Sequence, residues 1–136
     1  MGPLDVSIHE DGFHTLGALT YEELVPLFNR CDYFVMPSRF EAYGLVFAEA
    51  LTFGLPCIGR RAYEMPYFID EGKTGLLLDN ETPTALAAHM ERMLEDTSMR
   101  TETTKRRENY LQEYSWDTVA SRIARCIGGN VAGKTL

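Results

Sequence analysis

Basic residues are scarce in this chain. Its 136 residues include 13 Lys and Arg against 20 Asp and Glu, which gives a formal net charge of −7 at pH 7. Nucleic acids are bound through their phosphates and require basic patches on the protein. Anionic membrane surfaces likewise attract polybasic segments. The composition therefore argues against both nucleic acid and an anionic membrane as partners.

Long apolar runs and paired cysteines are also missing. No run approaches the roughly 20 residues of a membrane-spanning helix, and residues 1–10 lack the basic and apolar regions of a signal peptide. Cys31, Cys57 and Cys126 are odd in number and far apart, a spacing that fits neither a disulfide framework nor a metal site. We therefore expect a cytoplasmic protein with reduced cysteines and no bound metal.

Apolar residues make up 45% of the chain, with seven Phe and seven Tyr, which suffices for the core of one domain. Short apolar runs alternate with segments of helical pattern. Strands are predicted at residues 6–8, 15–19, 33–36, 56–59 and 76–78, and helices at 21–31, 44–53, 66–71, 83–95, 100–112 and 116–127. Runs of this length typify strands buried on both faces, so the pattern predicts an α/β fold with a mostly parallel sheet.

The domain organisation follows from the same pattern. We expect a single domain over residues 1–136, with a core at 15–95, C-terminal helices at 98–127 and a tail at 128–136. Thr20 and Glu23 have the spacing of a capping box at the start of a helix. Thr82 is suited to cap a later helix, with a proline at its first position.

The most informative stretch lies between Ser38 and Ala50. It places a buried strand before a short acidic loop, followed by Gly44 and an apolar helix. A helix N-terminus presents free N–H groups and a partial positive charge, and therefore binds phosphate. Because glycine has no Cβ, a diphosphate can approach the backbone of Gly44, Leu45 and Val46 closely.

Two carboxylates flank this glycine, eight residues apart. Glu41 in the loop can accept hydrogen bonds from sugar hydroxyls, and Glu49 lies about 7–8 Å along the helix axis from Gly44, within reach of a ribose diol. A nucleotide sugar has a diphosphate with hydroxyls on either side. Taken singly, each Glu also fits a plain loop acid or a solvated helix residue. A glycoside hydrolase pair is a further alternative, although a strand–glycine–helix order favours phosphate.

Residues from about Thr15 to Glu95 resemble the C-terminal half-domain of the family 4 retaining glycosyltransferases, which have the GT-B fold. The family's E-x7-E signature is present as Glu41 to Glu49. Other family segments are present in the family's order, three before the signature and three after it. They lie at residues 16–19, 21–24, 31–38, 50–56, 70–77 and 114–116. The resemblance implies a Rossmann-like three-layer sandwich, and it implies that the chain forms part of a GT-B C-terminal domain.

The resemblance also implies roles for individual residues. Glu41 would face the donor sugar as the catalytic residue, and Glu49 would hold the ribose. The backbone of residues 44–46 would hold the diphosphate, Leu19 would lie near the base, and Tyr43 would belong to the same donor site. The implied reaction transfers a sugar from a nucleotide diphosphate to a glycan, lipid or small-molecule acceptor, with retention. No metal is required, because protein cations and helix dipoles neutralise the leaving group.

Three departures from the family pattern qualify this interpretation. Two initial strand–helix units, with a glycine-rich loop and a basic pair, are not found, and neither is the N-terminal acceptor domain. The family's Gly-Gly-x-Pro-Glu is replaced by residues 61–67, Arg-Ala-Tyr-Glu-Met-Pro-Tyr. Arg60 and Arg61 either substitute for the missing cations or are surface residues. We therefore expect this chain to be inactive alone, and to self-associate through an exposed sheet edge.

Two other functions remain open. The second hypothesis is a non-catalytic nucleotide-sugar-binding or assembly module that keeps the fold without transfer activity. The third is a nucleotide-sugar epimerase of the same fold. Loss of nucleotide-sugar binding on Glu49→Ala favours the transferase, whereas normal folding without nucleotide affinity favours the non-catalytic module. An epimerase would interconvert sugars without an acceptor.

Overall fold

A computed structural model describes residues 11–131, with side chains up to residue 127. The chain divides into two compact units, one ending at Arg30 and the other beginning at Cys31. The strand predicted at residues 6–8 lies outside the described residues, as do residues 132–136 of the predicted tail.

The first unit contains helix α1, Tyr21–Phe28. Its capping box is confirmed: the Thr20 hydroxyl accepts a hydrogen bond from the Glu23 N–H, and the Glu23 carboxylate accepts one from the Thr20 N–H at 2.9 Å. These hydrogen bonds hold the pKa of Glu23 below its usual value. The helix ends earlier than predicted, with Asn29 as its C-cap. The strand predicted at residues 15–19 is wrong, because this segment has no hydrogen-bonded strand beside it among the described residues.

The second unit is built on a parallel sheet of three strands in the order β1-β2-β3. The strands are β1 Phe34–Val35, β2 Cys57–Arg60 and β3 Gly75–Leu78. Phe34 is paired with Cys57, and Cys57 with Gly75. The prediction of a parallel sheet is confirmed, and each strand lies within about two residues of its predicted position.

Six helices follow or separate these strands in the described part of the second unit. They are α2 Leu45–Thr52, α3 Met65–Phe68, α4 Pro83–Glu95, α5 Ser98–Lys105, α6 Arg107–Glu113 and α7 Trp116–Val131. As predicted, Thr82 caps α4 by accepting a hydrogen bond from the Ala85 N–H. Helix α7 extends four residues into the segment predicted as a tail.

The single charged helix predicted at residues 100–112 is wrong, because α5 and α6 are separate helices that meet at Arg106. The Thr103 hydroxyl donates a 2.7 Å hydrogen bond to the Met99 carbonyl, a backbone contact that bends helices. At the break, the Arg106 guanidinium donates to Asp70 at 3.0 Å and to Glu102 at 2.8 Å. These contacts attach the break to the loop before β3.

Helices cover both faces of the sheet. On one face, Ile58 and Leu76 belong to a buried cluster that contains Met93 of α4 and Met99 of α5. On the other face, helices α2 and α3 contact β2, and the Phe47 ring lies 5.6 Å from that of Phe34, edge to face. The unit therefore has three layers, and the expected Rossmann-like α/β architecture is confirmed.

Gly75 provides a sharp test of this sheet. A Cβ built on Gly75 would lie 1.9 Å from the Cys57 carbonyl oxygen, whereas a Cβ on Gly72 meets nothing within 4 Å. We predict that Gly75→Ala destabilises the fold by about 3 kcal/mol or more, since the clash is with backbone. Gly72→Ala is the control, and its left-handed φ should cost only about 1–2 kcal/mol. Denaturant unfolding measures both, and equal losses would contradict the prediction.

Candidate functional site

The candidate site is the N-terminus of α2, at the carboxyl end of β1. Gly44 is the N-cap and has left-handed dihedral angles, φ 78° and ψ 41°. A Cβ on Gly44 would lie 3.0 Å from Cδ2 of Phe47 and 3.3 Å from Cγ of Glu41. Glycine is thus favoured twice here, by backbone conformation and by lack of space.

No side chain caps this helix. Helices α1 and α4 are capped by threonine hydroxyls, but the N-cap of α2 has no side chain to offer. The first N–H groups of a helix have no intrahelical partner, so those of Leu45 and Val46 are available to an anion. Leu45 is exposed and Val46 half-buried, whereas Gly44 is buried, so the part of the turn that is open to solvent lies at Leu45.

The structure brings Glu41 next to Gly44 and places Glu49 on the exposed side of α2. Glu49 is exposed although its helical neighbours Ala48 and Ala50 are buried. Within the described part of the chain, neither carboxylate forms a hydrogen bond or an ion pair. Both are therefore placed to accept hydrogen bonds from a ligand.

Tyr43 and Leu19, the other two predicted side chains of the donor site, lie in different surroundings. Tyr43 is 48% exposed, and its ring meets Phe68 of α3 edge to face at 5.4 Å, which fixes the loop just before Gly44. Leu19 lies in the first unit, immediately before the cap of α1. Its predicted place near the base stays a prediction.

The two arginines after β2 are already engaged. Arg60 donates to the main-chain carbonyls of Ser38 and Arg39 and pairs with Glu81. Arg61 pairs with Asp79 and Glu71, both at 2.7 Å. These hydrogen bonds raise the pKa of Arg61 above its ordinary value, Asp79 contributing most. Sequence reasoning treated the two as equivalent candidate cations, whereas the structure gives them different partners.

Tyr63 is a feature that sequence reasoning missed. It has φ 54° and is the only non-glycine residue with positive φ in the described segments. It lies in the loop after β2 and is exposed. Such a conformation costs about 1–3 kcal/mol and is concentrated at functional sites. No pattern of residue types predicts left-handed backbone at a tyrosine, so the sequence held no signal for it.

A parallel sheet with helices on both faces, and a glycine-led helix after its first strand, defines a Rossmann-like α/β domain. The family model described as glycosyl transferases group 1 matches residues 9–110. The chain therefore belongs to the group 1 glycosyltransferase family, as the resemblance implied.

The curated relatives of this chain are named as glycosyltransferases. D-inositol 3-phosphate glycosyltransferase of Corynebacterium urealyticum is 33% identical over 102 residues, covering 75% of this chain and 24% of that protein. The Corynebacterium glutamicum protein of the same name is 30% identical, covering 84% and 27%. The Streptomyces avermitilis one is 29% identical, covering 76% and 22%. The chain thus spans about a quarter of the length of the curated relatives it matches.

The described residues show neither a membrane-spanning helix nor a metal-binding cluster. No helix among them has the length and apolar character needed to cross a membrane. No group of three or more His, Cys, Asp or Glu side chains within residues 11–127 is placed to hold a metal ion.

Gly44 tests the geometry of the site directly. We predict that Gly44→Ala lowers the free energy of unfolding by about 1–2 kcal/mol from the left-handed φ alone, with a further loss from the contact with Phe47. Gly12→Ala in the first unit is the matched control, since its φ is 87° and its Cβ meets nothing. Thermal unfolding compares the two, and an equal or smaller loss at Gly44 would contradict the predicted contact.

Proposed function

We propose that this chain is the nucleotide-sugar donor-binding part of a retaining glycosyltransferase. The observation that carries the proposal is the left-handed Gly44 at the uncapped N-terminus of α2. Free N–H groups and the helix dipole favour a diphosphate there. The position also fits, since ligands of α/β sheets bind at the carboxyl ends of the strands. Membership of a glycosyltransferase family supports the same conclusion.

The two carboxylates have separate roles in this proposal. Glu41, beside Gly44, accepts hydrogen bonds from the donor sugar and is the catalytic residue. Glu49, farther along α2, holds the two ribose hydroxyls, Tyr43 completes the donor site, and the backbone of residues 44–46 holds the diphosphate. The contact of Leu19 with the base stays a prediction from the resemblance. The helix N-terminus stabilises charge on the departing diphosphate, so the proposed reaction needs no metal. Nucleotide sugars of the cytoplasm are the proposed donors.

A non-catalytic binding or assembly module of the same fold is the second candidate. It is favoured by one observation: Arg60 and Arg61, the two arginines that could replace the family's missing cations, are already paired with carboxylates. The transferase proposal assigns acceptor binding and part of catalysis to an acceptor domain, so the 136-residue chain alone should not transfer sugar. Sugar transfer by this chain alone would contradict that assignment.

The ribose contact is tested by calorimetric titration with UDP and GDP. We predict millimolar or tighter binding of one of them, weakened about tenfold or more by Glu49→Ala, since hydrogen bonds to charged groups contribute about 1.5–3 kcal/mol. Glu91→Ala is the matched control, because Glu91 is also an exposed helical glutamate. If wild type binds neither nucleotide, or both variants bind alike, the donor site is not where we propose.

The sugar contact is tested by the difference between a nucleotide and its sugar conjugate. We predict that Glu41→Gln weakens binding of the UDP-sugar or GDP-sugar about tenfold but leaves the free nucleotide unchanged, because Glu41 faces only the sugar. Glu49→Ala should weaken both ligands equally. Equal effects of Glu41→Gln on conjugate and free nucleotide would contradict its assignment to the sugar.

Self-association through the sheet edge is part of the same proposal. Strand β1 is at one end of the sheet order, with one neighbouring strand among the described residues. The end of a sheet is the place where a strand of a second chain can be added. We predict that this chain forms dimers or larger species in light scattering. A monodisperse monomer at all concentrations would contradict the prediction.

A further inference from the structure

Arg60 joins the loops at the carboxyl edge of the sheet. It is the last residue of β2, and one guanidinium nitrogen donates to two main-chain carbonyls, Ser38 O and Arg39 O, each at 3.1 Å. Those carbonyls belong to the loop between β1 and α2, just before Glu41. The contact therefore fixes the segment that leads into the candidate site.

A third loop joins the same group. Glu81, in the loop between β3 and α4, pairs with the second terminal nitrogen of Arg60 and, at 3.4 Å, with Nε of Arg39. The Arg60 side chain is only 15% exposed, so water competes weakly for these bonds. One guanidinium thus connects the loops that follow all three strands.

Arginine is suited to this task by its shape. A planar guanidinium offers five N–H donors in fixed directions and can bind carbonyls and a carboxylate at once. Lysine carries one nitrogen on a flexible stem and cannot reproduce that arrangement. The adjacent Arg61 provides the contrast: it pairs with two carboxylates, but its side chain is 47% exposed and its hydrogen bonds do not reach the loop before Glu41.

We infer that Arg60 is a positioning residue for donor binding. By fixing the carbonyls of Ser38 and Arg39, it sets the position of Glu41 and of the Gly44 turn. Glu41 lies close to this turn, since its Cγ would be 3.3 Å from a Cβ built on Gly44. This inference rests on the proposed function, since it assumes that Glu41 and the turn meet the donor. Arg60 itself does not touch the ligand.

The test compares Arg60→Gln with Arg61→Gln, two neighbouring variants that each lose one charge and at least one ion pair. For Arg60→Gln we expect the affinity for a UDP-sugar or GDP-sugar to fall about tenfold or more, because small displacements of aligned groups are costly. For Arg61→Gln we expect less than a twofold change. Arg60→Lys should keep the charge without restoring affinity. Equal effects of the two glutamine variants, or full affinity in Arg60→Lys, would overturn the inference.

A second readout does not depend on nucleotide. In amide ¹H–¹⁵N spectra of the full chain, Arg60→Gln should shift the signals of residues 40–46, whereas Arg61→Gln should leave them in place. Glu81→Gln should shift the same signals less, since it removes one partner and keeps the carbonyl contacts. If wild type binds no nucleotide, the proposed function fails, and these shifts still decide whether Arg60 positions the loop. Unchanged shifts at residues 40–46 in Arg60→Gln would overturn the inference.

Discussion

The burial of Phe47 under the first turn of α2 is the contact on which the site depends. Its side chain is fully buried, and its ring lies 5.6 Å from Phe34 of β1 and 6.3 Å from Phe68 of α3. Glycines make room for it on two sides: a Cβ on Gly44 would meet the ring at 3.0 Å and one on Gly59 at 3.3 Å. One aromatic ring therefore fixes the helix against the sheet and sets where its free N–H groups point.

This arrangement explains which parts of the fold could be predicted from the sequence. The strands around Phe34 and Ile58 are buried on both faces and so appear as short apolar runs between breakers. The helix after Gly44 was predictable because a glycine, an apolar run and Gly54 mark its two ends. Gly54 indeed has the left-handed φ of 79° that ends a helix.

Features that depend on distant partners could not be predicted. The helix break at Arg106 follows from its bond to Asp70, 36 residues away in sequence, together with the Thr103 back-bond. The positioning role of Arg60 likewise follows from its hydrogen bonds to the carbonyls of Arg39 and Ser38, which are 21 and 22 residues away in sequence. In sequence Arg60 and Arg61 are two adjacent arginines; the sheet gives them different partners. The prediction of a strand at residues 15–19 was wrong for the same reason, since a β-strand forms only when it hydrogen-bonds to a neighbouring strand.

The charges around the site bear on how a donor would be bound. A nucleotide diphosphate is anionic, yet Glu41 and Glu49 are acidic, and Arg60 and Arg61 are paired with carboxylates. Under the proposed function, the attraction for phosphate within the described residues comes mainly from the N-terminus of α2, a contribution of about 0.3–1 kcal/mol per charge at an exposed helix end. That is less than one power of ten in affinity. The hydroxyl contacts of the two glutamates therefore have to supply most of the specific binding, and small shifts of the Glu41 loop matter more than added positive charge would.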